Sequence, residues 1–188
     1  MEKSENRNPL PPQQRSLAAQ GLRFAAIQER FALQVCEECS TVQYPPRDIC
    51  GKCLSDQLVW NDVDNHGVLV AATITRVTGD PYFKEMLPWR TGIVKLDCGP
   101  SVIAHLHGDC NPDDRVRLVI ELDEADQGAM FAMPAADLPD RLDDRQLKTF
   151  RHGPDEWEAA RITLQQVAGN IEQPADIWPG LHFDNQGE

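Results

Sequence analysis

The sequence predicts a mainly β protein with helical arms, and three observations support this fold class. Two closely spaced Cys-x-x-Cys pairs are typical of a small domain held together by a metal. After these pairs, short β-branched runs with alternating apolar residues indicate strands separated by turns. Near both ends of the chain, apolar residues recur at helical spacing. We therefore expect four parts: a disordered segment and helix over 1–30, a cysteine-bearing ribbon over 31–62, a barrel over 63–134 and an extension with one helix over 135–188.

An apolar stripe predicts the N-terminal helix. Residues 1–12 are polar and contain three prolines, so we expect them to be disordered. From about Pro12 to Arg30 the pattern becomes helical, with one apolar face formed by Leu17, Phe24, Ile27 and Phe31. This face needs a surface to pack against. The sequence leaves open whether that surface belongs to the same domain or to another subunit.

The four clustered cysteines are the strongest functional signal. Cys36 and Cys39 form one Cys-x-x-Cys pair, and Cys50 and Cys53 form the second pair after ten intervening residues. Two such turns can bring four thiolates to the corners of a tetrahedron. Soft thiolate ligands select zinc, with iron as the usual competitor. A site closed by four protein ligands has no open position for substrate, so we expect its role to be structural.

Charge and hydropathy limit the function classes. The formal net charge is −12, and residues 121–188 carry fifteen acidic and five basic side chains. Nucleic-acid binding draws on basic groups that neutralise phosphates, so we expect no nucleic-acid partner. No apolar run approaches the length of about 20 residues that a membrane span requires. The start of the chain lacks a hydrophobic signal core, which favours a cytoplasmic protein and disfavours two disulfides as the alternative to metal binding.

Five strands predict the barrel, and two short strands flank the cysteines. Phe31–Val35 is expected to lead into the first cysteine pair, and Leu58–Trp60 to leave the second. Five antiparallel strands of this length suit a Greek-key barrel of the oligonucleotide/oligosaccharide-binding (OB) type. Their expected ranges are Gly67–Val77, Ile93–Leu96, Val102–His107, Val116–Leu122 and Gly128–Met133. In the fourth range Val116, Leu118, Ile120 and Leu122 alternate, which predicts one buried face.

The C-terminal extension is predicted to contain one amphipathic helix. Pro154 suits a first helical position, and Gly169 suits the residue after the last turn. Between them, Trp157, Arg161 and Leu164 follow a regular spacing. We interpret the extension as an arm that lies on another chain.

The ordered run of motifs resembles a known family. The motifs are Phe31-Ala-Leu-Gln34, Cys36-x-x-Cys39, Tyr44-Pro-Pro-Arg47, Cys50-x-x-Cys53, Trp60 and Gly67-Val-Leu-Val70. They resemble bacterial and archaeal proteins that join an N-terminal helix and a rubredoxin-like zinc ribbon to an OB-fold, often described as acyl-CoA-associated. The resemblance covers roughly residues 15–134. Ser40 stands where the family usually has glycine, which leaves the ligands unchanged.

The resemblance implies a partner role. Members of the family are similar to accessory subunits of thiolases, thiolase-like acyltransferases and thiolase-like aldolases, in which the partner holds the catalytic residues. The small protein would then support the partner's active-site entrance and help to seat an acyl-CoA thioester, without catalysing a reaction alone. Two alternatives are a rubredoxin-like electron carrier with iron in the four-cysteine site and a nucleic-acid-binding ribbon. The sequence does not identify the acyl group, the pathway or the direction of the reaction.

An aromatic loop is the predicted contact with substrate or partner. The loop over 79–89 is too aromatic for an ordinary solvated connection, and barrels of this type commonly bind through such loops. The alternative is a loop that folds back over the end of the barrel. Lys84 and Arg90 could meet the phosphates of CoA. The contact residues predicted on this basis are Tyr82, Phe83, Lys84, Trp89 and Arg90.

Two cysteines outside the cluster raise the question of covalent chemistry. Cys98 and Cys110 lie near His105 and His107 in sequence, and a thiol beside a base can act as a nucleophile. The two histidines share one face of a predicted strand, which also allows a second metal site. Cysteine is, however, a common small buried residue, and we expect no catalytic residue in this chain.

Overall fold

The computed structural model describes residues 10–136, 144–148, 150–151, 159, 162–163 and 182–183. The elements in chain order are α1 (Gln20–Ile27), β1 (Ala32–Cys36), β2 (Val42–Gln43), β3 (Leu58–Asp62), β4 (His66–Thr75), α2 (Pro81–Glu85), β5 (Trp89–Leu96), β6 (Ser101–Leu106), β7 (Arg115–Leu122), β8 (Gly128–Pro134), α3 (Arg145–Lys148) and β9 (His182–Phe183). None of the helices in these ranges is long and apolar enough to cross a membrane.

A four-stranded sheet carries the cysteines, in the order β2-β1-β3-β9. β1 is antiparallel to both β2 and β3, while β9 runs parallel to β3. The strands that flank the cysteines were predicted from alternation. β2 and β9 were not, because two residues are too few to show a period.

Five strands close into the predicted barrel, in the order β4-β5-β6-β8-β7. Along β7, the inward-facing residues Val116, Leu118, Ile120 and Leu122 are buried, as their alternation predicted. The expectation of a purely antiparallel barrel was wrong in one place: β6 and β8 pair in parallel, with His105 opposite Phe131. This parallel pair closes the barrel, because β7 already lies between β8 and β4.

The N-terminal helix is shorter than its pattern predicted. α1 covers only Gln20–Ile27, and Leu17 lies outside it with 63% of its surface exposed, so its assignment to the apolar face was wrong. Ser16 accepts hydrogen bonds from the Ala19 N–H through both its carbonyl and its hydroxyl oxygen, which holds a turn before the helix. Phe24 and Ile27 are buried in the core of the same chain. The helix therefore packs within its own domain.

Trp60 joins the ribbon, the helix and the barrel. It lies on β3, is 1% exposed, and shares one core with α1 and the inner face of the barrel. A Cβ atom placed on Gly21 would lie 2.0 Å from Trp60 Cε2. The helix can approach the indole this closely only because position 21 has no side chain.

The C-terminal extension contacts its own chain. Leu147 of α3 is 0% exposed and Phe150 is 4% exposed, and both pack on the barrel. β9 pairs with β3, so the interpretation of the extension as an arm on another chain was wrong for these parts. Of the predicted tail helix, Ala159, Ile162 and Thr163 are described and are helical. Pro154, Trp157, Arg161, Leu164 and Gly169 lie outside the described residues.

Gly21→Ala tests the close approach of α1 to Trp60. Alanine favours a helix by up to about 1 kcal/mol over glycine, but overpacking a core costs about 1–3 kcal/mol. Because the clash distance is 2.0 Å, we expect the second effect to exceed the first and the free energy of unfolding in urea to fall by about 1–2 kcal/mol. Gly79→Ala is the matched control, since a Cβ there meets no atom within 4 Å. Equal stability of the two variants would contradict the packing.

Candidate metal centre

The four cysteine sulfurs converge on one point. Their Sγ atoms all lie within 4.8 Å of one another. The Cys36–Cys53 and Cys39–Cys50 sulfur pairs are 3.5 and 3.6 Å apart. A tetrahedral zinc site with Zn–S bonds of about 2.3 Å has sulfurs about 3.8 Å apart. A disulfide bond is only about 2.0 Å long, and all four thiols are free, so the arrangement fits metal ligation.

The two cysteine turns are built in the same way. After the second cysteine of each pair, a residue with positive φ donates its N–H back to the first: Ser40 (φ 55°) to the Cys36 carbonyl at 2.8 Å, and Leu54 (φ 64°) to the Cys50 carbonyl at 3.1 Å. Left-handed backbone of this kind favours glycine, which explains why glycine is the expected residue at position 40. The serine adopts the same conformation, so the turn keeps its shape.

Two glutamines hold the segment that links the turns. Gln34 on β1 is buried, accepts the Arg47 N–H at 2.8 Å and donates to the Arg47 carbonyl at 3.0 Å. Gln43 on β2 donates to Gln34 Oε1 at 3.1 Å and accepts the Gly51 N–H at 3.0 Å. These contacts fix the distance between the cysteine pairs. Sequence reasoning missed their role, although Gln34 belongs to the motif that carries the family resemblance.

The sulfurs differ in their tendency to ionise. The hydroxyl and the backbone of Thr41 lower the pKa of Cys39 to about 6. The backbone N–H of Ser55 lowers the pKa of Cys53, but hydrogen bonds with the other thiols, Cys36 foremost, and burial together raise it to about 12. Once one thiolate has formed, its neighbours resist ionisation because like charges repel. A cation among the sulfurs removes this repulsion, so the cluster is suited to a metal.

The remaining cysteines lie in the connections on either side of β6, Cys98 before it and Cys110 after it. Cys110 is 0% exposed, and its Sγ lies 3.8 Å from the carbonyl oxygen of Ala132. Cys98 is half-buried, and burial raises the pKa of its thiol. A raised pKa lowers the fraction of reactive thiolate.

The two histidines predicted on one strand face have different surroundings, and His107 lies just after the end of β6. The His105 ring stacks with that of Phe150, at 4.2 Å between centroids, and with that of Phe131, at 5.4 Å. Burial lowers the pKa of His105 to about 4, so the ring is neutral at pH 7. His107 Nδ1 accepts the Asp109 N–H at 3.1 Å, and its Nε2 lies 3.8 Å from Asp144. Within the described ranges, the four ribbon cysteines form the one group of three or more side chains that could hold a metal ion, and neither histidine belongs to it.

The aromatic loop folds over the end of the barrel. Asp80 caps α2 by accepting the N–H groups of Tyr82 and Phe83. Tyr82 and Trp89 are buried, and Phe83 stacks on Trp89 at 5.2 Å. The Phe150 ring lies against the Trp89 ring at 5.7 Å between centroids, so the C-terminal extension covers the loop. Tyr82 and Trp89 therefore fold back on the barrel, as the alternative for this loop expected.

The two cations of the predicted contact set differ in their environment. The Arg90 guanidinium donates to the carbonyl oxygens of His107, Gly108 and Cys110 at 3.2, 2.6 and 2.5 Å. Its donors therefore hold the connection between β6 and β7 rather than face solvent. Lys84 is exposed at the end of α2.

Two family models match the chain in succession. The model described as the ChsH2 rubredoxin-like zinc ribbon domain matches residues 24–59, and that described as the ChsH2 C-terminal OB-fold domain matches residues 60–121. A solved structure described as the Ltp2-ChsH2(DUF35) aldolase is similar to this chain at 22% sequence identity and a TM-score of 0.52. The likeness covers 61% of this chain and 92% of the other, and at this identity it shows a shared fold. The curated proteins offer no match.

Cys39→Ser tests the metal centre. We expect one metal ion per wild-type chain, measured by mass spectrometry of the purified protein. Loss of one thiolate should release the ion and unfold the ribbon, because structural four-ligand sites contribute about 10–16 kcal/mol of apparent binding energy. Cys98→Ser removes a thiol outside the cluster and should retain the metal. Soluble, folded wild-type protein without bound zinc or iron would refute the assignment.

The burial of His105 predicts a dependence of stability on pH. Its folded-state pKa of about 4 lies below the ordinary 6.5, so the unfolded chain binds more protons between these values. The free energy of unfolding should therefore decrease as the pH falls from 6.5 to 4, by up to about 3 kcal/mol from this group. His105→Phe keeps an aromatic ring in the stack and should weaken the dependence. Urea titrations of both proteins across this range provide the measurement, and equal slopes would show that His105 is not responsible.

Proposed function

We propose that this chain, which belongs to the ChsH2 family of zinc-ribbon and OB-fold proteins, is a non-catalytic accessory subunit of a thiolase-superfamily enzyme. The enzyme would act on acyl-CoA thioesters. The observation that carries the proposal is the succession of both ChsH2 domains over residues 24–121, together with the likeness to a structure described as an Ltp2-ChsH2(DUF35) aldolase. The chain would stabilise its partner and help to seat the CoA substrate.

The chemistry of the metal centre supports a structural role. Four cysteine ligands complete a tetrahedron, which leaves no position for a substrate or an activated water. We propose that the resident metal is zinc, held by Cys36, Cys39, Cys50 and Cys53. The burial of Cys98 and Cys110 likewise supports a chain that leaves the chemistry to its partner.

We also propose that the aromatic loop contacts substrate or partner, but through fewer of the five predicted residues. Lys84 is exposed and Phe83 is half-buried, so these two side chains present the outer surface of the loop. Tyr82 and Trp89 are buried and Arg90 holds the connection between β6 and β7, so these three residues would act by supporting the loop rather than by touching a ligand. A phosphate of CoA could reach Lys84 without a change in the fold.

An electron carrier is the second candidate function, because four thiolates also accommodate iron. The two candidates differ in the metal and in the partner. Purified protein that contains iron and undergoes reversible one-electron reduction would favour the carrier. Colourless protein that contains zinc would exclude it.

Co-expression with the products of the neighbouring genes, followed by identification of the protein that co-elutes, tests the accessory role, and we expect that protein to be a thiolase-superfamily enzyme. We expect the two proteins to elute as one complex, and the isolated chain neither to cleave nor to condense acyl-CoA thioesters. The complex should turn over substrate at the wild-type rate when it carries Cys98→Ala or Cys110→Ala. Turnover by the isolated chain that disappears in either variant would overturn the proposal, as would a failure of the two proteins to associate.

A further inference from the structure

Three neighbouring barrel strands present an exposed apolar row. Ala71 on β4 is paired with Ile93 on β5, which is paired in turn with Ile103 on β6. Ile93 is 44% exposed and Ile103 is 64% exposed, although isoleucine is usually buried. Val70, at a bulge beside the row, is 56% exposed. Isolated exposed apolar residues are common, but a contiguous group on one sheet face usually marks an interaction site.

The same strands contain no carboxylate. β4, β5 and β6 comprise 10, 8 and 6 residues, and none of them is Asp or Glu. The chain as a whole has 30 acidic residues among 188. Lys95 is the outward cation beside the row, and its ammonium donates to the Gly99 carbonyl. Depletion of charge is the feature that distinguishes the centre of a protein interface from the remaining surface.

The row continues a surface that already binds apolar side chains. His105 lies two residues beyond Ile103, on the same face of β6, and Phe150 stacks on it at 4.2 Å between ring centroids. Trp89 lies on the corresponding face of β5 and is covered by the same phenyl ring. The chain's own extension thus covers one half of the β5–β6 face, and the Ile93–Ile103 half lies beyond it, about 7 Å along β6 from His105 and about 13 Å along β5 from Trp89.

We propose that the Ala71–Ile93–Ile103 row, with Val70, is the surface on which the thiolase-superfamily enzyme docks; this inference rests on the proposed function. The strands belong to a closed barrel, so the contact is made by side chains rather than by an added strand. A second copy of the chain is a poorer occupant, because each copy carries a net charge of −12 and like charges oppose association. The complementary surface on the enzyme is expected to be apolar, because it would cover an apolar row.

The test measures the affinity of the purified chain for the co-purifying thiolase-superfamily enzyme by calorimetry. Both isoleucines point away from the barrel core, so Ile93→Asp/Ile103→Asp should keep the fold, checked by circular dichroism and metal content. We expect the double variant to raise the Kd at least about a hundredfold and Ile103→Thr, which keeps the β-branched shape, about tenfold. Leu17→Asp is the matched control, since Leu17 is equally exposed at 63% but lies outside the row, and its Kd should stay within about twofold.

Each result decides the docking surface. If the Kd of both isoleucine variants stays within about threefold of the wild-type value, this surface is wrong, while the accessory role is unaffected. An equal loss in Leu17→Asp would also overturn it, because the effect would then come from added charge. A wild-type dimer, seen by light scattering, that Ile103→Asp converts to a monomer without loss of enzyme affinity would identify a second copy as the occupant. Absence of any complex with the wild-type chain would refute the proposed function itself.

Discussion

The ribbon depends on the attraction between four crowded thiolates and a cation. Its own apolar cluster consists of Cys36, Cys50 and Leu58, with Cys39 at its edge, so most of its members are themselves ligands. A cluster of this size cannot stabilise a folded segment, and small domains commonly need a metal for that reason. Gln34 and Gln43 hold the link between the cysteine pairs by satisfying backbone groups of Arg47 and Gly51.

The effect of the metal reaches the barrel through β3. This strand begins soon after the second cysteine pair and carries Trp60 into the core that α1 and the barrel share. The indole has room because Gly21 faces it, and Gly128 likewise allows the backbone of β8 to approach that of Leu22. Ribbon, helix and barrel are therefore packed around common side chains. A displacement of β3 would disturb the packing of the whole N-terminal part.

The sequence predicted those features whose signal is local and periodic. Cysteine spacing located the metal centre, and alternation along β7 identified its buried face before the structure placed it. The exposure of Leu17 could not be predicted, because its spacing suits the helix and only the turn at Ser16 excludes it. β9 and the parallel β6–β8 pair depend on contacts between distant segments, for which a single sequence carries no period. The role of Gln34 was hidden for the same reason, since its partner Arg47 lies thirteen residues away.

The aromatic loop and the exposed isoleucines show that composition alone does not decide which apolar side chains a fold leaves on its surface. An aromatic segment between strands has the same sequence whether a partner or its own chain covers it, and here Leu147 and Phe150 cover it. Ile93 and Ile103 lie in strands whose sequences are typical of a buried core. Alternation separates the two faces of such a strand but does not show which face is buried. Only closure of the barrel decides this: it turns Val94, Val102 and Ala104 inward and leaves the two isoleucines outside. The exposed apolar row on the strands is therefore visible only in the folded barrel and not in the sequence.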